Sequence, residues 1–181
     1  SQPESVDIFL FESFAKTYRG HGTDIALVGG LLGMEPDDER LSDSLKIAHE
    51  NGMEVLFVPK KEKAEHPNLV KMLLKKGKRQ MTVTGISIGG GNIQISELDG
   101  FKISLTMGTP TIITVHQDVP GIIAQVTKLL SDMNVNIGTM TVTRESKGEK
   151  AIMIIEIDER HPDICQKLRQ LSHIDSVTYF D

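Results

Sequence analysis

"TIITVHQDVPGIIAQVTKLLSDMNVNIGTMTVTRES", residues 111–146, carries three changes of period in a row. "TIITVHQ" is an apolar run of strand length, "PGIIAQVTKLLSDMN" repeats its apolar residues at helical spacing, and "VNIGTMTVTRES" returns to a strand pattern. Within the helical stretch Ile122, Val126, Leu129 and Leu130 fall on one stripe, the face a helix turns toward a sheet. Downstream, "KGEK" is a turn, "AIMIIEIDE" a strand, "HPDICQKLRQLS" a helix and "SVTYF" a strand. The order is therefore βαββαβ.

That order is the ferredoxin-like split unit. Upstream, "VDIFLF" reads as a strand, "ESFAKTY" as a short helix, and a second helix starts at Thr23, a good N-cap, and ends near "GGLLG". "DERLSDSLKIAHENG" reads as a third helix with Leu41, Leu45 and Ala48 on one face, and "EVLFVP" as a strand. From Leu69 the pattern becomes a meander: "LVKMLL", "KKGKR", "QMTVTGISI", "GGG", "NIQISEL", "DG", "FKISL". Lys71, Lys75, Lys76, Lys78 and Arg79 cluster there, which suits a solvated hairpin tip. "TMGTP", residues 106–110, has turn chemistry and is the expected linker. The fold class is α+β: an N-terminal αβ domain with an antiparallel meander over 1–107, then the ferredoxin-like unit over 108–181.

The chain has 181 residues, of which 39% are hydrophobic, enough for one good core or two small ones. Its 20 Lys plus Arg against 25 Asp plus Glu give a net charge of −5, which argues against nucleic acid as a partner because phosphate neutralisation needs a basic surface. No apolar run has the length of a membrane span, and the opening "SQPES" lacks a signal-peptide pattern, so a cytoplasmic location is expected. A single cysteine, Cys165, excludes an intrachain disulfide and any iron–sulfur cluster held wholly by this chain. It sits in a helical period with Ile164, Leu168 and Leu171 and reads as a buried structural thiol.

"VHQDVPGIIAQVTKLLSDMNVNIG" resembles the ACT family of small-molecule sensor domains through its paired "DVPGII" and "NVNIG". The corner has visible chemistry: Pro120 preorganises the first helical turn, and Gly121, followed by Ile122, has no side chain to keep a ligand from the exposed N–H groups at the helix N-terminus, a site that suits a carboxylate. In the ACT domain of 3-phosphoglycerate dehydrogenases, serine is held by side chains at the positions of His116, Asp118 and Asn136. The middle one is normally Asn there, and Asp118 would favour the ammonium of an amino acid.

"SFAKTYRGHGTDIALVGGLLG" together with "TGISIGGGNIQISELDGF" resembles the β subunit of bacterial iron–sulfur L-serine dehydratases, and the likeness runs through essentially the whole chain. It implies a subunit of an enzyme converting L-serine to pyruvate and ammonia, with a 4Fe-4S cluster ligated by the cysteines of an α subunit, and it implies that this chain alone is inactive. L-serine or another small amino acid is the implied ligand of the ACT unit, whose edge strands favour homo-association, a dimer being the simplest form. The related allosteric substrate-binding domain of some 3-phosphoglycerate dehydrogenases supplies an alternative, the regulatory region of such an enzyme; a free-standing ACT sensor is a third. The family's β region begins with a Ser-Ser-Ser-His-Thr stretch thought to hold a catalytic histidine, and nothing like it precedes "VDIFLF", so the chain is truncated or the role lies elsewhere. The catalytic residues are thus unassigned. His21, between Gly20 and Gly22 and next to Thr23 and Asp24, is expected to support a pocket or subunit interface with Lys16. Ser87, Gly89, Gly90 and Gly91 in "SIGGGN" are expected to let backbone approach a ligand or partner closely; with no helix after them they form no phosphate loop. Relatives often carry Gly where this chain has Glu12.

Overall fold

The computed structural model describes residues 2–106, 108–161 and 163–180. Ser1 of the polar opening, Met107 of the expected linker and Pro162 of the last expected helix lie outside the described residues. The chain divides into two compact units, Ser1–Leu105 and Thr106–Asp181.

In the first unit β1 (Ser5–Leu10) leads into α1 (Glu12–Thr17), α2 (Thr23–Leu32), a short 3-10 turn (Leu41–Asp43), α3 (Ser44–Glu50) and β2 (Glu54–Pro59). β3 (Leu69–Lys76), β4 (Arg79–Gly89), β5 (Asn92–Leu98) and β6 (Phe101–Thr106) complete a six-stranded sheet of order β2-β1-β3-β4-β5-β6. β1 and β2 are parallel, whereas β1 meets β3, and β3 meets β4, antiparallel. Alternation along β1 sends Val6, Ile8 and Leu10 into a core with Val28, Ala48, Met53 and Val70, which the helices cover.

Two expectations need correction here. The third helix begins only at Ser44, after the 3-10 turn, and this rotates its inner face: Ser44 is fully buried with its hydroxyl donating to the Ile25 carbonyl at 2.9 Å, while Leu45 is exposed. Thr23 does not cap the second helix. Gly22, at φ +69°, takes the N-cap position, and Thr23 already lies in the first turn. The basic hairpin is also more than a solvated tip, since Lys71 pairs with Glu97, Lys75 with Asp7, and Lys76 donates to the Gln2 carbonyl.

The second unit is β7 (Thr111–Gln117), α4 (Ile122–Asp132), β8 (Ile137–Arg144), β9 (Lys150–Ile157), α5 (Ile164–Leu168) and β10 (Ile174–Phe180). Its sheet order, β10-β7-β9-β8, leaves β8 and β10 at the edges and is the expected βαββαβ arrangement. Ile112 on β7 and Met153, Ile155 and Ile157 on β9 point to the side that α4 and α5 cover, where they meet Val126, Leu130, Ile164 and Leu168. Burial of these side chains, each worth about 1.5–3 kcal/mol, outweighs any local propensity in fixing this unit. Cys165 packs beside that core, half-buried, and burial raises the pKa of its thiol.

Gly29 and Gly30 sit side by side in α2 in unlike surroundings. A methyl group on Gly29 would run into the Leu41 side chain, whereas one on Gly30 meets nothing within 4 Å. Gly30→Ala is expected to stabilise the chain by about 0.5–1 kcal/mol through helix propensity, and Gly29→Ala to fall short of that gain because Leu41 must move. Urea unfolding followed by circular dichroism checks both; equal gains would contradict the packing described.

Candidate functional site

Four groups of expected site residues occupy different places. In the first, α1 and the segment after β2 enclose a cavity of about 340 Å³ lined by Glu12, Ala15, Lys16, Pro59, Lys60, Lys61 and Glu62. Glu12 has φ +46°, the left-handed region where glycine is the natural occupant, and its Oε1 accepts the Ala64 N–H at 3.3 Å. The Lys60 ammonium lies over the Phe9 ring at 5.2 Å. Lys16 is thus a wall of a real cavity.

Gly20, His21, Gly22, Thr23 and Asp24 form the α1–α2 junction. The His21 N–H donates to the Thr17 carbonyl and the Thr23 N–H to the Tyr18 carbonyl, both closing the end of α1. The Asp24 carboxylate accepts the N–H of Ile25 rather than orienting the imidazole, and the His21 ring is exposed. Tyr18 anchors this junction, which the sequence reading missed: it is buried, stacks on Phe57 at 5.5 Å and carries the Arg19 guanidinium on its ring.

Gly89, Gly90 and Gly91 close the β4–β5 hairpin, each with positive φ. Added side chains would meet open space at Gly89 and Gly91, so the backbone angles of the turn require these glycines, not close packing within the chain. Ser87 donates its N–H to the Asn68 carbonyl, while Phe11 and Ser13 donate theirs to Leu69 and Pro67. The segment 67–69 therefore holds Ser87 and the start of α1 at the same end of the sheet. No hydrogen bond or ion pair joins Ser87–Gly91 to Gly20–Asp24 among the described residues.

The fourth group lies in the second unit. His116 is next to last in β7, opposite Ala151 on β9, with 1% of its surface exposed and no hydrogen bond to either ring nitrogen. Burial lowers its pKa, while Asp118 and Asp175 act in the opposite sense. Asp118 leaves the strand and anchors the β8–β9 hairpin: its Oδ2 accepts the Gly148 N–H at 3.1 Å and faces the Arg144 guanidinium at 3.3 Å. Both contacts use one oxygen, so Oδ1 stays open. These contacts, the Gly148 N–H first and Arg144 next, hold the carboxyl below the usual aspartate value. Pro120 belongs to the turn ahead of α4, not its first turn, and Gly121 at φ +90° is the N-cap before Ile122.

Asn136 does not join this corner. Its amide donates to Asp158 Oδ2 at 2.7 Å, and it lines a recess of about 180 Å³ with Asn134, Val135, Asp158, Glu159 and His161. Asp118 is tied to Arg144 at one end of β8, and Asn136 precedes Ile137 at the other, roughly 25 Å away at strand rise. Within one chain they cannot touch the same amino acid.

The donor set does not fit an iron–sulfur cluster: Cys165 is the sole cysteine, and no group of three or more His, Cys, Asp or Glu among the described residues is arranged to hold a metal ion. Among the described residues no helix is long and apolar enough to cross a membrane.

With this geometry in hand, the comparisons give first a class: residues 112–179 match the family of AHAS small subunit-like ACT domains. The chain is also 40% identical over 178 residues to a probable L-serine dehydratase beta chain of Bacillus subtilis (strain 168), covering 98% of this chain and 81% of that one. It is 34% identical to the L-serine dehydratase beta chain of Peptoniphilus asaccharolyticus, over 85% of this chain and 70% of the relative. The chain belongs to the L-serine dehydratase beta-chain family. A D-3-phosphoglycerate dehydrogenase of Synechocystis is 37% identical over 45% of this chain but only 15% of its own length, so the dehydrogenase alternative is the weaker one.

The Asp118 anchor gives a direct expectation. Its folded-state pKa is depressed, so its hold on the hairpin is complete above the ordinary aspartate range and lost as pH falls through the lowered value. The Gly148 amide shift, followed by NMR, is expected to titrate with a midpoint below 3.8, the ordinary value. Asp118→Asn should abolish that titration; a Gly148 midpoint at or above the ordinary value would contradict the anchor.

Proposed function

We propose that this chain is the β subunit of an iron–sulfur L-serine dehydratase, which pairs with a cluster-bearing α subunit in the cytoplasm to convert L-serine to pyruvate and ammonia. The observation that carries it is the alignment of nearly the whole chain with beta chains of that name. The name of those relatives implies a complementary chain, and with one cysteine in this chain the cluster's ligands come, in this reading, from that partner. The chain by itself is then inactive. At the C-terminal ends of β1 and β2, the cavity with Lys16, the Ser87 strand end and the glycine turn beside it supply a continuous rim suited to that partner. His21 supports the junction behind it.

In the same reading the second unit binds L-serine or another small amino acid at the β7–α4 corner. The N–H groups at the start of α4 receive the carboxylate, the Ile122 N–H giving up its long 3.5 Å contact with the Val119 carbonyl, while Asp118 Oδ1 receives the ammonium and His116 underlies both. Because Asn136 lies at the far end of β8, it reaches the corner only from a second copy. β8 lies at the sheet edge, which supports a homodimer by antiparallel pairing of two β8 strands; such pairing would bring Asn136 of one copy to the end of β8 that carries Arg144 in the other.

Anaerobic reconstitution tests the reading. This chain alone is expected to show no iron–sulfur absorption and no pyruvate from L-serine, and to give activity once mixed with the cysteine-rich chain encoded beside it. Stoichiometric cluster binding by this chain alone, or a failure of the mixture to form pyruvate, would overturn it. For the corner, Asp118→Ala is expected to weaken L-serine binding about 10- to 150-fold in calorimetry, the loss of one charged hydrogen bond.

A further inference from the structure

The residue beneath the corner has an unusual electrostatic setting. Strand alternation puts His116 on the same face of β7 as Ile112 and Thr114, the face that α4 covers, four residues before the chain turns up into that helix. Thr114 Oγ1 and both His116 ring nitrogens are buried there without hydrogen-bond partners, a costly arrangement for an imidazole and tolerable only in its neutral form. Two carboxylates stand near it, and each is compensated by its own base. Asp118 faces Arg144 from β8, and Asp175 of β10 faces Lys150 of β9 at 3.3 Å. Around them, His173 before β10 pairs its ring with Gln117 at 3.0 Å, and Glu149 in the β8–β9 hairpin accepts the Asp118 N–H through its carbonyl. The first turn of α4, Ile122–Gln125, brings no charge. Burial of the unpartnered ring therefore outweighs the pull of the two carboxylates, each already paired with a base, and leaves His116 neutral in the ligand-free chain.

An amino acid entering the corner changes that balance, since its carboxylate arrives above the imidazole while its ammonium goes to Asp118. We infer that effector binding at this corner takes up a proton on His116, which turns an unpartnered neutral ring into an imidazolium that donates to the bound carboxylate. The inference rests on the amino-acid reading of the corner and deepens it into a form of regulation: the sensor responds to pH and to the amino acid together. By linkage, affinity then rises as pH falls from about 8 toward 6, by at most about tenfold per pH unit for one proton.

The test is calorimetry of L-serine binding to the full chain at pH 7.5 in phosphate and in Tris, whose ionisation enthalpies differ widely. The expected result is a buffer-dependent heat that corresponds to an uptake approaching one proton per serine. His116→Gln keeps hydrogen-bonding capacity without titrating and should bind with buffer-independent heat and a flat pH profile; His173→Gln should retain the uptake. Binding of wild type with the same heat in both buffers overturns the inference alone. Absence of binding by serine and every other small amino acid overturns the amino-acid reading and the inference with it.

Discussion

The pairing of β7 with β9 is the constraint on which the second unit depends. Ile112 stands opposite Ile155, Thr114 opposite Met153 and His116 opposite Ala151, and this register sends all three β7 side chains to the face the helices cover. A slip by one residue would exchange Ile112, Thr114 and His116 on that face for Ile113 and Val115, and so move the histidine off it. The same register therefore holds a histidine in the core as a consequence of holding isoleucines there. It also sets where Asp118 emerges, because the Asp118 N–H extends the ladder to the Glu149 carbonyl at 2.7 Å and leaves the side chain beside Gly148. The strand pairing that packs this unit thus also positions the Asp118 carboxylate.

Much of the fold was legible because it rests on periods that side chains announce. The βαββαβ order and the four-strand meander follow from apolar alternation and from turn residues such as Gly77, Asp99–Gly100 and the three glycines, whose positive φ values match what those turns need. The reading of α3 failed because it assumed one uninterrupted helical phase. The 3-10 turn at Leu41–Asp43 advances the chain by a different angle per residue, and Ser44 arrives where Leu45 was expected. No apolar pattern signals that a serine will be buried by donating to a carbonyl of another helix.

The candidate site was legible residue by residue but not as an assembly. His116, Asp118 and Gly121 could be picked from the β7–α4 corner, yet the Arg144 and Gly148 partners of Asp118 come from a hairpin almost thirty residues on, and only strand order brings them back. The resemblance groups Asn136 with them, and its position at the far end of β8 shows how strand direction decides which of these residues can meet within one chain. In the first unit, Glu12 is a departure with a backbone cause: where glycine suits φ +46°, this chain holds a glutamate whose carboxylate fastens the Ala64 amide. The strain and the fastening belong to one residue.

The separation of Asp118 from Asn136 has a consequence for stoichiometry. A molecule the size of an amino acid that touches both must touch two chains, and a twofold axis through paired β8 strands makes two such places at once. In the proposed homodimer, occupancy and association become a single equilibrium. The apparent affinity for the small molecule grows with the concentration of the protein itself, each bound molecule draws monomers into pairs by mass action, and dilution releases the ligand without any change at the contacts that hold it.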